Sequence, residues 1–288
     1  MPGKYAATGT GDTCAGSSPS VDGMVDVAVI QFAPGQDKQE NASTLRRLAT
    51  EASGRGAQVV VAPEYAMFTA PRTDHRLVES AEGLDGTFVT ALAETAAQLQ
   101  IHLVAGVNEL LPGDDHISNT LVALGPTGDI VATYRKLHLY DAFGYKESEV
   151  IRAGEIGTPE TFAVDGLTFG MQTCYDLRFP EVTRRIVDAG TDVLLLPAQW
   201  VPGPLKEDHW STLVRARAIE NTIYVAAADQ SARTGAGASM IVDPMGVTVA
   251  ALGERVGAAI AAVTAERITE VREKNPVLAL RRFTVTEI

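Results

Sequence analysis

The chain has 288 residues, 45% of them hydrophobic and 21% charged, with a formal net charge of −12. That balance suits a globular protein with a large core and argues against DNA, RNA or an anionic membrane as main partner, because those surfaces need clustered Lys and Arg. Two cysteines, Cys14 and Cys174, are too few for a disulfide scaffold, no Cys/His spacing suggests zinc, and no stretch approaches the length of a membrane-crossing helix. A reduced, cytoplasmic protein with no metal or other cofactor is therefore expected.

Residues 1–23 are rich in Gly, Ser, Thr and Ala and lack a basic segment followed by an apolar one. They read as a disordered extension rather than a secretory signal, with Cys14 inside it. Residues 25–32 alternate and are β-branched, the pattern of a first strand. Helical spacing of Leu45, Leu48 and Ala49 over 41–54 stops at Gly54 and Gly56. Residues 57–62 form a short, nearly all-apolar strand of the kind buried on both faces. A second helix follows over 86–100 and a strand over 102–107. Strands at 119–124 and 129–135 flank Gly125-Pro-Thr-Gly128, a turn that joins antiparallel neighbours.

The second half repeats this rhythm. Strands at 161–164 and 167–171 bracket Asp165-Gly166, a hairpin signal. A helix over 181–189 leads to a buried strand at 192–196, and a helix over 210–221 feeds a strand at 222–228. Asp243-Pro-Met-Gly246 joins strands at 238–242 and 247–250; a strand at 257–263 and a helix at 265–274 close the pattern. Helices and strands interleave, but the hairpins fit a purely parallel sheet poorly. Two mixed sheets stacked face to face, with helices outside, predict a four-layer α-β-β-α sandwich. No Pro/Gly linker interrupts residues 24–275, which read as one domain, followed by a tail at 276–288.

Three reactive side chains stand just past apolar strands: Glu64 after Val59-Val-Val-Ala-Pro63, Lys136 after Ile130-Val-Ala-Thr-Tyr-Arg135, and Cys174 after Phe169-Gly-Met-Gln-Thr173. Sites are built at such sheet edges. Taken alone, Cys174 reads as a small buried hydrophobe and each charge as a solvated surface group. An acid, a base and a thiol in the same setting supply the parts of acyl transfer: the sulfur attacks a carbonyl or nitrile carbon, the carboxylate moves the protons, and the ammonium stabilises the oxyanion. The polar helix start after Cys174 is expected to favour the thiolate through the positive helix N-terminus. The five histidines form no clear motif with Cys174.

Pro63-Glu64-Tyr65, Tyr134-Arg-Lys136-Leu-His-Leu139 and Cys174-Tyr-Asp-Leu-Arg-Phe-Pro-Glu181 resemble the three signatures of the nitrilase superfamily, the carbon–nitrogen hydrolases. Arg215-Ala-Arg-Ala-Ile-Glu-Asn221 and Gly237-Ala-Ser-Met-Ile-Val-Asp-Pro-Met-Gly246 extend the likeness, which runs from about Val25 to Arg267. The resemblance implies the same sandwich, a Glu64–Lys136–Cys174 triad, a second acid at Glu147 and an oxyanion donor in the backbone N–H of Tyr175. Glu149 competes for the second-acid role, because strict alternation points both side chains to one face.

The run after Cys174 is similar to the Nit-type amidases, which act on ω-amides of 2-oxo acids and on deaminated glutathione; the nitrile-cleaving branch commonly has Trp after the cysteine. His209-Trp210 and Arg215-Ala-Arg217 resemble the same amidases. Arg178 is a candidate ligand for a substrate carboxylate, with pairing to Asp176 or backbone carbonyls the competing role. Gln199 and Trp200 are candidates to line the pocket, with core packing the alternative for Trp200. Asp229, in Ala228-Asp229-Gln230, and the 201–208 loop depart from the family pattern. N-carbamoyl amidohydrolysis is the alternative activity, with nitrile cleavage or a non-catalytic binding role behind it. The resemblance also implies a homodimer or larger assembly, through the helices near Cys174 and the apolar-basic run Leu278-Ala-Leu-Arg-Arg-Phe283.

Overall fold

Alternate positions along the strands enter different cores, and this builds the layers. In the computed structural model, which describes residues 23–287, β1 (Met24–Gln31) sends Val25, Val27 and Val29 to one side and Ala28 and Ile30 to the other. Residues 1–22, with Cys14 and almost all of the expected N-terminal extension, lie outside the described residues, as does residue 288. β2 (Val59–Val61) divides likewise, Val60 from Val59 and Val61. A strand split in this way is buried on both faces, so it reads as continuously apolar.

Two six-stranded sheets result. The first runs β12 (Gly257–Thr264), β1, β2, β3 (His102–Leu110), β4 (Ile117–Leu124), β5 (Ile130–Arg135). The second runs β11 (Thr248–Ala251), β10 (Met240–Val242), β9 (Tyr224–Asp229), β8 (Val193–Ala198), β7 (Leu167–Met171), β6 (Thr161–Val164). Each has a parallel trio at its centre, β1-β2-β3 and β7-β8-β9, with antiparallel strands outside. Val27, Val61, Val104, Phe169, Leu195 and Ala226 fill the space between the sheets. Helices α1 (Lys38–Gly54), α2 (His75–Ser80) and α3 (Thr87–Leu99) cover the first sheet, while α4 (Pro180–Asp188) and α5 (Lys206–Asn221) cover the second. α6 (Ala265–Lys274) follows β12 and adds Ile268 to the inter-sheet core. This is the α-β-β-α sandwich that the strand and hairpin pattern implied.

Differences from the sequence expectation are local. α1 starts three residues earlier than its apolar spacing suggested, because Asp37 caps it by accepting the N–H groups of Gln39 and Glu40 at 2.9 and 3.0 Å. α2 is too short for a periodic signal. α5 begins at Lys206 rather than 210, so only 201–205 of the anticipated 201–208 loop is loop; Leu205 enters the helix at φ 60° without a side-chain cap. The strand expected from 238 begins at Met240, after Ala238 bends at φ 54°.

One glycine positions the site. A Cβ on Gly106 in β3 would lie 2.6 Å from the Tyr65 nitrogen and 2.7 Å from the Glu64 Cα. The chain leaving β2 therefore passes directly over Gly106, tied there by N–H donation from Gly106 to the Pro63 carbonyl and from Met67 to the Gly106 carbonyl, both at 3.2 Å. Gly106→Ala is expected to cost about 1–3 kcal/mol, the range for forced overpacking, and to lower turnover together with the melting temperature by moving Glu64. A thermal melt and rate equal to wild type would contradict this.

Candidate active site

The strand ends of both sheets deliver Glu64, Lys136, Cys174 and Gln199 to one cavity of about 570 Å³. Glu64, Lys136, Glu147 and Cys174 line it and are all buried. The backbone is strained at two of these exits: Tyr65 has φ 54° and Cys174 φ 45°, left-handed values that cost a non-glycine residue about 1–3 kcal/mol. At Cys174 the strain accompanies a tight turn of 3₁₀ helix, Cys174–Arg178, that carries the sulfur over the end of β7.

Lys136 is the hub. Its Nζ donates to Glu64 Oε1 at 3.0 Å and to Glu147 Oε1 at 3.0 Å. The remaining carboxylate oxygens and lone pairs are met as well. Glu64 Oε1 accepts from Asn119 Nδ2 at 2.7 Å, and Oε2 from the Gln199 N–H at 2.6 Å. Glu147 accepts from the Tyr65 hydroxyl and from the Tyr140 N–H, both at 2.6 Å. The Cys174 thiol donates to the Gln199 carbonyl at 3.5 Å. Glu147 occupies a 3₁₀ turn, Glu147–Glu149, rather than a strand, so the two acids do not share a face: Glu147 is buried, while the Glu149 side chain is 64% exposed.

Charge follows from this packing. Burial by itself would push the Lys136 ammonium down, but Glu147 and Glu64 outweigh it and hold the group well above its ordinary range. Burial would raise Glu147, yet Lys136 and the Tyr65 hydroxyl keep it low. At Cys174 the sign is opposite to the expectation from a helix N-terminus: burial, then the Glu64 carboxylate, push the thiol well above its ordinary value, and Lys136 only partly offsets them. The turn that follows the sulfur is too short to supply a helix dipole, and α4 starts only at Pro180. The resting sulfur is a thiol.

Two further carboxylates brace the loops. Asp176 accepts from the Tyr134 hydroxyl at 2.7 Å and the His138 N–H at 2.9 Å, and its Oδ1 lies 2.8 Å from the His138 ring. It thus ties the Cys174 turn to the segment around Lys136 and leaves Arg178 unpaired with it. Asp229 Oδ1 accepts the N–H groups of Trp200 and Gln230 at 2.8 Å each, and burial holds its carboxyl well above the usual range. Gln230 Nε2 in turn donates to the Glu64 carbonyl at 2.9 Å. The departure at Asp229-Gln230 is therefore a brace under the site.

Tyr175, Arg178, Gln199 and Trp200 all line the cavity. Arg178 lies 4.9 Å from the centre of the Trp200 ring. Trp200 has both of its anticipated roles: it packs in the core of the second sheet and lines the cavity. Sequence reasoning missed Tyr65, Asn119, Tyr140 and Lys206. Asn119 carried a signal, a carboxamide within the polar run Ser118-Asn119-Thr120 of a strand that continues as Leu121-Val-Ala-Leu124.

A model of the carbon–nitrogen hydrolase family matches residues 26–273. The chain belongs to that family. It is 41% identical over 261 residues to a deaminated glutathione amidase from Escherichia coli, covering 89% of this chain and 97% of that one. It is 32% identical over 270 residues to the omega-amidase NIT2 of Danio rerio, covering 89% and 94%. Among solved structures it is similar to Saccharomyces cerevisiae Nit3, a member of branch 10 of the nitrilase superfamily, with a TM-score of 0.81, 29% identity and coverage of 91% and 97%. It is also similar to the C. elegans NitFhit protein, with a TM-score of 0.82, 31% identity and coverage of 91% of this chain; it spans 66% of that chain's length. This carbon–nitrogen hydrolase is an enzyme of the Nit-type amidase branch. No helix among its described residues is long and apolar enough to cross a membrane.

The charge balance at the sulfur can be measured. The rate of Cys174 alkylation by iodoacetamide is expected to keep rising with pH and to reach no plateau below pH 9.0, the ordinary value from which the thiol is raised. Lys136→Met, which removes the cation that opposes Glu64, is expected to slow alkylation further. A plateau near neutral pH, or faster alkylation in the variant, would contradict the balance.

Proposed function

We propose that the hydrolase cleaves the amide of a small carboxylate-bearing acyl compound, an ω-amide of a 2-oxo acid or a compound of the deaminated-glutathione type, through a thioester on Cys174. Support for the chemistry comes above all from the Lys136 ammonium held between Glu64 and Glu147 beside the thiol. Support for the substrate comes from the deaminated glutathione amidase and omega-amidase relatives and from Arg178 on the cavity wall.

In this reading Glu64 takes the Cys174 proton as the sulfur attacks the amide carbon. The oxyanion is held by Lys136 Nζ and the Tyr175 N–H. As the carbon–nitrogen bond breaks, Glu64 returns the proton to nitrogen and ammonia leaves. Water then attacks the thioester, Glu64 accepts its proton and passes it to the departing sulfur, and the carboxylic acid and free thiol are restored. The raised thiol suits this cycle, since deprotonation is coupled to attack and no thiolate need persist. Glu147 acts as a positioning residue that holds Lys136 through its ammonium, itself fixed by Tyr65 and the Tyr140 N–H. Gln199 contributes through its backbone, and Trp200 through its ring beside Arg178.

The same proposal takes residues 24–275 as the catalytic domain and residues 276–288 as a contact tail in a homodimer or larger assembly. Leu280 and Phe283 in that tail are 70% and 90% exposed, an apolar surface that a second copy would cover. A cytoplasmic location keeps the Cys174 thiol reduced.

Ammonia release is to be measured on 2-oxo-acid ω-amides, deaminated glutathione, N-carbamoyl amino acids and simple nitriles, and turnover of the first two groups is expected. Cys174→Ala is expected to abolish release, and Lys136→Ala to reduce it by about 100- to 1,000-fold, the usual loss for an oxyanion donor. Turnover of nitriles or carbamoyl compounds alone would overturn the substrate, and full activity after Cys174 alkylation would overturn the nucleophile. Light scattering is expected to give at least twice the monomer mass; a monomer would remove the tail's proposed role.

A further inference from the structure

Two cations set into the cavity wall, Lys206 and Arg178, are not neutralised by its acids, whereas Arg72 and Arg233 line it from exposed positions. Lys206 opens α5 and is only 7% exposed. Its Nζ makes one hydrogen bond, to the Tyr140 hydroxyl oxygen at 2.9 Å, and lies 4.4, 5.1 and 5.5 Å from the ring centres of Phe143, Tyr140 and Trp200. Arg178 also stands against Trp200, 4.9 Å from the ring centre, its Nη2 3.4 Å from His209 Nδ1 and its buried Nε without a partner. Among the described residues neither cation has a carboxylate within 4.0 Å. Glu64 and Glu147, the acids that line the cavity among the described residues, are held by Lys136, and Asp176 is occupied by Tyr134 and His138.

A buried ammonium using one of its three donors, next to a guanidinium with an orphaned N–H, is a site lacking its anion. Burial, then the charge of Arg178, already push the Lys206 ammonium down. Tyr140, pushed up to about 12, keeps its proton and has that O–H free to donate, because its oxygen is the acceptor of the Lys206 bond. Lys206 also lies near enough to Cys174 to interact with charge on its sulfur. An anion seated on Lys206 and Arg178 therefore belongs to the molecule whose carbonyl meets the thiol.

We propose that Lys206, with Arg178 and the Tyr140 hydroxyl, forms a receptor for the carboxylate at the far end of the acyl group, and that Lys206 is the residue that selects carboxylated over neutral amides. The inference rests on the amidase reading above. Lys206 is buried among these rings, and its withdrawal from solvent strengthens an ion pair made there. The cation–ring contacts hold the ammonium in place before the substrate arrives.

Binding separates this receptor from catalysis. The full-length protein is titrated calorimetrically with a 2-oxo dicarboxylate, the product class, and with a neutral diamide of the same length, in wild type, Lys206→Met and Lys206→Arg. The dicarboxylate is expected to bind Lys206→Met at least about ten-fold more weakly and to be restored to within about three-fold in Lys206→Arg, as for loss and return of a charge-assisted hydrogen bond. The neutral diamide, expected to keep its affinity, reports whether the cavity is intact. Unchanged dicarboxylate affinity in Lys206→Met, equal weakening of both ligands, or no dicarboxylate binding by wild type would overturn the receptor. Dicarboxylate binding by a wild type that releases no ammonia from any amide would instead overturn the amidase reading and leave the receptor standing.

Discussion

The ammonium of Lys136, buried between Glu64 and Glu147, is the interaction on which the rest of the site depends. Three charged groups cannot leave water cheaply, and their mutual attraction repays the desolvation only when every remaining lone pair and proton finds a partner. Here the partners are Asn119, the Tyr65 hydroxyl, and the backbone N–H groups of Tyr140 and Gln199. They come from both sheets and the loops between, so the complete fold is needed to satisfy the cluster. Removing one charge would leave another buried and unpaired, typically a loss of about 3–5 kcal/mol.

That requirement explains features which look unrelated along the chain. Gly106 has no side chain because the backbone at Glu64 crosses it. Asp229 lies under the Gln199–Trp200 turn, whose N–H reaches Glu64 and whose carbonyl receives the thiol. Asp176 joins the Cys174 turn to the Lys136 segment. The left-handed conformations at Tyr65 and Cys174 are strain stored at the two exits that must aim reactive groups inward, and the surrounding hydrogen bonds hold them there.

The electrostatics inside the cavity divide into two neighbouring parts. Around Lys136 two acids face one base, and burial together with the Glu64 carboxylate pushes the Cys174 thiol up. Around Lys206 and Arg178 the positive charge is left open. In a chain whose formal net charge is −12, a cavity wall with uncompensated cations cannot be inherited from composition. It comes from which side chains the fold turns inward.

The layered fold was legible because apolar alternation and turn chemistry are local, and Val25–Phe32, the Gly125–Gly128 turn and the Asp165-Gly166 hairpin carry them without ambiguity. Glu64, Lys136 and Cys174 were legible for a related reason: each follows an apolar strand, and their segments resemble family signatures. Element starts were less so. The Asp37 cap could be read only weakly, and the entry to α5 is set by a left-handed Leu205 that no periodicity announces. Sequence by itself determined the strands, the hairpins and the chemical identity of the reactive groups. Only the tertiary structure decided that Glu147 and not Glu149 completes the cluster, that the sulfur rests as a thiol, and that Lys206 stands uncompensated beside it. Those outcomes depend on burial and on partners far apart in the chain, and desolvation is a property of the assembled interior that no local segment encodes.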